Sequence, residues 1–182
     1  TGAVAQISSD ILIQIKLTHC VDTIPTLAQV LAQVHGQVPL LIEIKDQDGA
    51  MGRNVGALER AVANDLKNYQ GDVAVMSFNP NAIASFSSLS PKTPVGLVTD
   101  RFLPNDWPTL PAATCLHLHG IPDFDRVNAS FISHNHSQLD DLAVLQLKTR
   151  EIPLLCWTVT SKTQESLARK QADNITFEGY LP

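Results

Sequence analysis

Val38-Pro-Leu-Leu-Ile-Glu-Ile-Lys45 reads as a buried strand with two opposite charges at its C-terminal end. Side chains alternate along a strand, so Leu41, Glu43 and Lys45 share one face and Leu40, Ile42 and Ile44 the other. A charge inside an apolar strand is costly unless it is paired, bonded or ligating. Two readings stand. One is a structural ion pair at the strand end. The other is a polar site, where Glu43 offers oxygen to a hard cation and Lys45 a point charge to phosphate.

Outward from this strand, apolar runs alternate with amphipathic stretches. Ser8-Ser9-Asp10 can cap a short helix carrying Ile11, Leu12 and Ile15. Leu27, Val30, Leu31 and Val34 follow Pro25-Thr26 at helical spacing, and Gly36 is placed to end that helix. After the strand comes a polar loop with Asp46 and Asp48, read as solvated carboxylates because a calcium-loop pattern is absent. A helix through Val55, Leu58, Val62 and Leu66 leads to a strand from Val73 to Phe78. Asn79-Pro80 opens the next helix, to about Leu89, and Thr93 to Val98 is the third strand.

The prolines at 104, 108, 111 and 122 rule out one long helix from Thr99 to Asn128. Periodicity leaves Ala112 to His119 open between helix and strand. Ser130 to His134 reads as a strand, Gln138 to Arg150 as a helix and Ile152 to Val159 as a strand. Ser161-Lys-Thr-Gln164 has capping-box spacing before a helix, and Asn174 to Phe177 is a last short strand.

The chain has 182 residues, 44% hydrophobic and 17% charged, enough for one substantial core. Its net charge of −5 and scattered Lys and Arg leave no footprint for nucleic acid or an acidic membrane surface. No apolar stretch is long enough to span a membrane. Cys20, Cys115 and Cys156 are too widely spaced for a zinc knuckle or a disulfide framework. A cytoplasmic location is expected, with an N-terminal signal left open.

Six strands alternating with helices imply a parallel α/β sheet. It is either an open doubly wound sheet or a barrel, and a complete (β/α)8 barrel usually takes about 250 residues and eight strands. Length alone favours the open sheet.

Several blocks shift that balance. Ile24-Pro-Thr-Leu27, Leu41-Ile-Glu-Ile-Lys45, Val75-Met-Ser-Phe78 with Asn79-Pro80, Ile152 to Val159 with its Trp-Thr-Val, and Ala172-Asp-Asn-Ile175 occur in this order. Together they resemble the glycerophosphodiester phosphodiesterase family. That resemblance implies a TIM barrel and metal-dependent hydrolysis of a glycerophosphodiester to an alcohol and glycerol 3-phosphate, with Mg²⁺ or Ca²⁺. The family's His-Arg-Gly strand end, its Glu-x-Asp pair and its His-Asp block are absent, and the opening Thr1-Gly-Ala-Val resembles the loop after His-Asp. The resemblance therefore implies a single domain over residues 1–182 that carries roughly strands three to eight of the barrel and lacks the first two. The family's general acid and base histidines would be missing, and the fragment alone inactive.

The resemblance makes Glu43 the remaining metal ligand and gives Lys45 a role at the phosphate, binding it or assisting its transfer. It places Phe78 and Trp157 around the glycerol moiety, while His134, at the end of its strand, reaches the pocket rim. Where the family ends its last strand in Thr-Asp-x-Pro, this chain has Phe177-Glu178, with Pro182 further on.

Two alternatives remain. His117/His119 and His134/His136 are His-x-His pairs, which on strands would suit an amidohydrolase-type metal hydrolase. An incomplete barrel could also be a non-catalytic structural or binding piece. Its open sheet edges would favour homo-oligomers.

Overall fold

The computed structural model describes residues 4–182, so the first three residues of the Thr1-Gly-Ala-Val opening lie outside it. A short 3-10 turn, Val4–Gln6, and helix α1, Ser9–Leu12, come first. Ile11 and Ile15 stay exposed there, so the expected apolar face of that helix is not buried. Helix α2, Leu27–Val34, then leads into strand β1, Leu40–Glu43. The units that follow are α3 (Ala57–Leu66), β2 (Val73–Ser77), α4 (Pro80–Leu89) and β3 (Val95–Thr99). They continue with α5 (Ala112–His119), β4 (Phe131–Asn135), α6 (Leu142–Thr149), β5 (Leu154–Val159), α7 (Lys162–Ala168) and β6 (Asn174–Phe177).

Local chemistry explains several boundaries. Thr26 and Gln29 close a capping box at the start of α2: Gln29 N–H donates to Thr26 Oγ1 at 3.2 Å and Thr26 N–H to Gln29 Oε1 at 2.8 Å. The helix ends in two left-handed residues, His35 and Gly36. The open segment from Ala112 to His119 is a helix. The helix expected from Gln138 begins only at Leu142, after Asp141, whose carboxylate binds Arg101 instead of capping the α6 backbone.

The six strands form one sheet in the order β1-β2-β3-β4-β5-β6, and every neighbouring pair is parallel. A doubly wound sheet reverses its strand order at a switch point. No reversal occurs here, and each crossover feeds the next neighbour, which is the winding of a barrel. Among the described residues β1 does not pair with β6, so the barrel is incomplete.

The sheet has two apolar faces. On the outer one Ile44, Val75, Leu97, Ile132, Leu154 and Cys156 pack under Leu31, Val62, Phe86, Val144 and Ala168 of the helices. Burying a side chain such as Phe86 contributes about 1.5–3 kcal/mol. On the inner face Met76, Val98 and Phe131 gather with Ala74, Phe78, Leu155 and Trp157. Phe131 lies across Gly96, its register partner on β3, where a Cβ would overlap the ring. Below it, a concavity of about 740 Å³ opens at the N-terminal end, lined in part by Leu41, Ala74 and Leu155. No described helix is long and apolar enough to cross a membrane.

Candidate active site

In parallel α/β sheets, functional groups gather beyond the C-terminal ends of the strands. At the end of β1, Lys45 Nζ lies 2.8 Å from Glu43 Oε1. Lys45 has 72% of its side chain exposed and Glu43 22%, so the pair stands at the rim of the barrel and not within the strand's buried run. The desolvation cost expected for a buried charge therefore does not apply to Lys45. An exposed pair of this kind stabilises a fold by only about 0–1 kcal/mol.

The register pairs Glu43 with Met76, and the ladder continues as Ile44 N–H donates to Met76 O at 2.8 Å. Two residues further on, Lys45 and Phe78 both lie just beyond the C-terminal ends of their strands. Phe78 meets Trp157 edge to face, with ring centroids 5.3 Å apart. The Trp157 indole N–H donates to Ser133 O at 3.0 Å, which fixes the ring's tilt. Glu43 with Lys45, and Phe78 with Trp157, thus stand as two pairs at the C-terminal mouth of the sheet.

His134 does not join them. It is 1% exposed and faces the helix layer, as its alternation with Ile132 requires. Its Nδ1 is 2.8 Å from Thr99 Oγ1, and its Nε2 lies 3.6 Å from Asp141 Oδ2. Burial holds the imidazole below its ordinary pKa, although the Asp141 and Asp100 carboxylates pull it upward. The expected role at the pocket rim is thereby replaced by packing under α6.

Neither His-x-His pair gathers a third metal-ligating side chain among the described residues. His117 and His119 lie on helix α5, where residues two apart do not share a face. His117 Nε2 contacts Asp123 at 2.7 Å, and His119 Nδ1 contacts the Arg101 carbonyl at 3.0 Å. Among the described residues no group of three or more His, Cys, Asp or Glu side chains could hold a metal ion. Mg²⁺ and Ca²⁺ take about 6–8 oxygen ligands, with waters among them. Glu43 is one carboxylate already paired with Lys45, so these residues alone do not fit a complete divalent-cation site.

The sequence reading missed two residues beside this mouth. Trp107, in the loop after β3, has its ring 5.2 Å from Phe78 and 5.0 Å from Phe102. Its indole N–H donates to Asp100 Oδ2 at 2.9 Å. Asp100, just past β3 and only 6% exposed, also accepts from Arg101 N–H at 2.7 Å. A carboxylate directly after an apolar strand was the available signal. Asp46 likewise is not a solvated loop carboxylate, since it accepts from Asn79 Nδ2 at 2.7 Å.

Comparison with known families matches residues 4–176 to the Glycerophosphoryl diester phosphodiesterase family. The chain belongs to this family. Glu43, Lys45, Phe78 and Trp157 lie within the matched segment, and Glu178 lies beyond it. No curated protein matches by sequence.

Solved structures share the family fold. One from Galdieria sulphuraria, assigned as a glycerophosphodiester phosphodiesterase, aligns with a TM-score of 0.72 at 16% identity, over 97% of this chain and 68% of its own. The glycerophosphodiester phosphodiesterase of Parabacteroides distasonis gives 0.65 at 20% identity, over 93% of this chain and 66% of its own. An Oleispira antarctica phosphodiesterase, solved in complex with the product sn-glycerol-3-phosphate, gives 0.58 at 22% identity over 85% and 57%. The present chain thus spans between just over half and about two thirds of the length of these family structures.

Proposed function

We propose that the chain supplies the third to eighth strands of an eight-stranded (β/α)8 barrel, as one domain over residues 1–182, in a phosphodiesterase that hydrolyses glycerophosphodiesters. An oxygen of water attacks phosphorus, the bond from phosphorus to the alcohol oxygen breaks, and the alcohol leaves with a proton. The products are an alcohol and glycerol 3-phosphate. The observation that carries this reading is the Lys45 ammonium, 2.8 Å from Glu43 Oε1 at the same end of the sheet as the Phe78–Trp157 pair, in a chain of this family.

Lys45 sets a positive charge where phosphoryl oxygens gain negative charge in the transition state. Glu43 holds that ammonium in place and is offered as one ligand of Mg²⁺ or Ca²⁺, the others coming from outside this chain. Phe78 and Trp157 present apolar ring faces to the glycerol carbons. The general acid and base are assigned to groups this chain does not carry, so the chain alone is read as inactive. The shared fold of the Oleispira protein, solved with sn-glycerol-3-phosphate, supports the proposed product. Cys20, Cys115 and Cys156 are free thiols, in keeping with a cytoplasmic location.

The test is hydrolysis of glycerophosphodiesters by the complete protein and by this chain. Lys45→Ala and Glu43→Gln in the complete protein should each lower kcat/KM by about 100-fold or more, the scale of a lost electrostatic stabiliser. Unchanged activity in both variants, or strong turnover by the 182-residue chain alone, overturns the reading.

A further inference from the structure

Lys45 is exposed, and among the described residues its side chain has Glu43 as its polar partner. Its backbone neighbours are held as well. Ser77 Oγ donates to the Ile44 carbonyl at 2.6 Å, immediately before Lys45. Asn79 Nδ2 donates to Asp46 Oδ1 at 2.7 Å, immediately after it, and to Gly52 O at 2.9 Å. The two clamps are themselves joined, because Asn79 N–H donates to Ser77 Oγ at 3.1 Å. Asp46 passes the restraint on, as its Oδ2 accepts from Met51 N–H at 3.2 Å.

Ser77 and Asn79 are both fully buried, and they flank Phe78 at the end of β2. Alternation sends them to the outer side while Phe78 turns inward. One tripeptide therefore presents a wall of the mouth and holds the end of the neighbouring strand. Asn79 is also the N-cap of α4, with its Oδ1 accepting from Asn81 N–H at 2.9 Å. Capping needs only that oxygen. The amide NH₂, aimed at Asp46 and Gly52, is surplus to capping, and burying it is favourable only because both its protons are used.

We propose that Ser77 and Asn79 are positioning residues that fix the Lys45 ammonium through Ile44 and Asp46. The inference rests on the reading of Lys45 as a phosphate-binding group. It adds that the position of Lys45 is imposed from the outer side of the sheet.

Asn79→Asp separates the two roles of this residue. Aspartate caps a helix as well as asparagine does, but it sets an oxygen against the Asp46 carboxylate. The exchange variant Asp46→Asn/Asn79→Asp restores a donor and an acceptor between the two side chains in reversed order, without the bond to Gly52 O. In the complete protein, Asn79→Asp should lower kcat/KM by about 10- to 100-fold, as expected for a catalytic group misplaced by around an ångström. It should also weaken inhibition by inorganic phosphate, and the exchange variant should recover most of both. Ser77→Ala gives an independent reading of the same clamp, with the same expected losses. Unchanged phosphate inhibition and kcat/KM in Asn79→Asp, or the absence of recovery in a folded exchange variant, overturns the inference. Lys45→Ala assayed in parallel separates the two proposals. If it is silent, the reading of Lys45 fails. If it is inactive while the Asn79 and Ser77 variants are normal, the positioning role alone fails.

Discussion

Phe131 on β4 lies against Gly96 on β3, so that a methyl group at Gly96 would overlap the ring. The small residue and the large one share a single layer of the barrel interior. Neighbouring strands can supply one aromatic ring there only if the other leaves the space empty. Overpacking a core typically costs about 1–3 kcal/mol, and Gly96→Ala is expected to fall in that range by urea denaturation. Shrinking the neighbour in Gly96→Ala/Phe131→Leu should recover part of the loss. Strictly additive effects of the two changes would rule out this packing relation.

Lys45 and Glu43 form an exposed pair, which contributes little to stability. Lys45→Ala should therefore change unfolding free energy by less than about 1 kcal/mol. A much larger loss would mean that the pair is structural and would weaken its assignment to chemistry.

Trp157 is half-buried, with one hydrogen bond to Ser133 O and one edge-to-face contact with Phe78. Trp157→Phe keeps the ring contact and loses the hydrogen bond, at a cost of about 1 kcal/mol. Trp157→Ala loses both, and should raise KM for glycerophosphodiesters in the complete protein more than it lowers kcat. Equal kinetics in the two variants would exclude Trp157 from the substrate wall.

The His134 imidazole is held below its ordinary pKa by burial, against the opposing pull of Asp141 and Asp100. Its folded pKa is thus lower than its unfolded one. As pH falls beneath the ordinary value of 6.5, the unfolded chain takes up this proton first and stability declines. His134→Gln, which is neutral throughout and can still bond Thr99, should flatten the fall in Tm between about pH 7.5 and 5.5. The carboxylates held low by partners, such as Asp125 beside Arg150, lose their contribution only at more acidic pH. An unchanged Tm slope in His134→Gln would count against a buried neutral imidazole.

Leu41 is 40% exposed on the inner face of β1, beside the open edge of the sheet. Such surface favours association. The chain should sediment as a concentration-dependent mixture of monomer and oligomer, and Leu41→Lys should shift it toward monomer. A monomer at every concentration would refute homo-oligomers formed through this edge.

Much of the architecture was legible before any coordinates. The alternation in Val38 to Lys45 and the helical spacing of Leu27, Val30, Leu31 and Val34 are local patterns, and local patterns set element type and order. Asn174 to Phe177 was read with the bounds it has in the fold. The identities of Glu43, Lys45, Phe78 and Trp157 were likewise available, because each stands near or just beyond a strand end.

What the chain alone left open depends on contacts across long separations. Ala112 to His119 could be helix or strand until its apolar residues, Cys115 and Leu118, found Phe102 and Leu110. His134 and Trp157 each near the end of their strands, but the two face opposite sides of the sheet. Parity assigns a side only once the inward direction is known, and that direction is set by which face the helices cover. Asn79 and Asp46, 33 residues apart, show the same limit. By itself the sequence determined the order of the elements and the chemical groups at their ends. The tertiary structure decided which of those groups share the mouth, because burial selects one face of each strand only after the neighbouring strands and helices are in place.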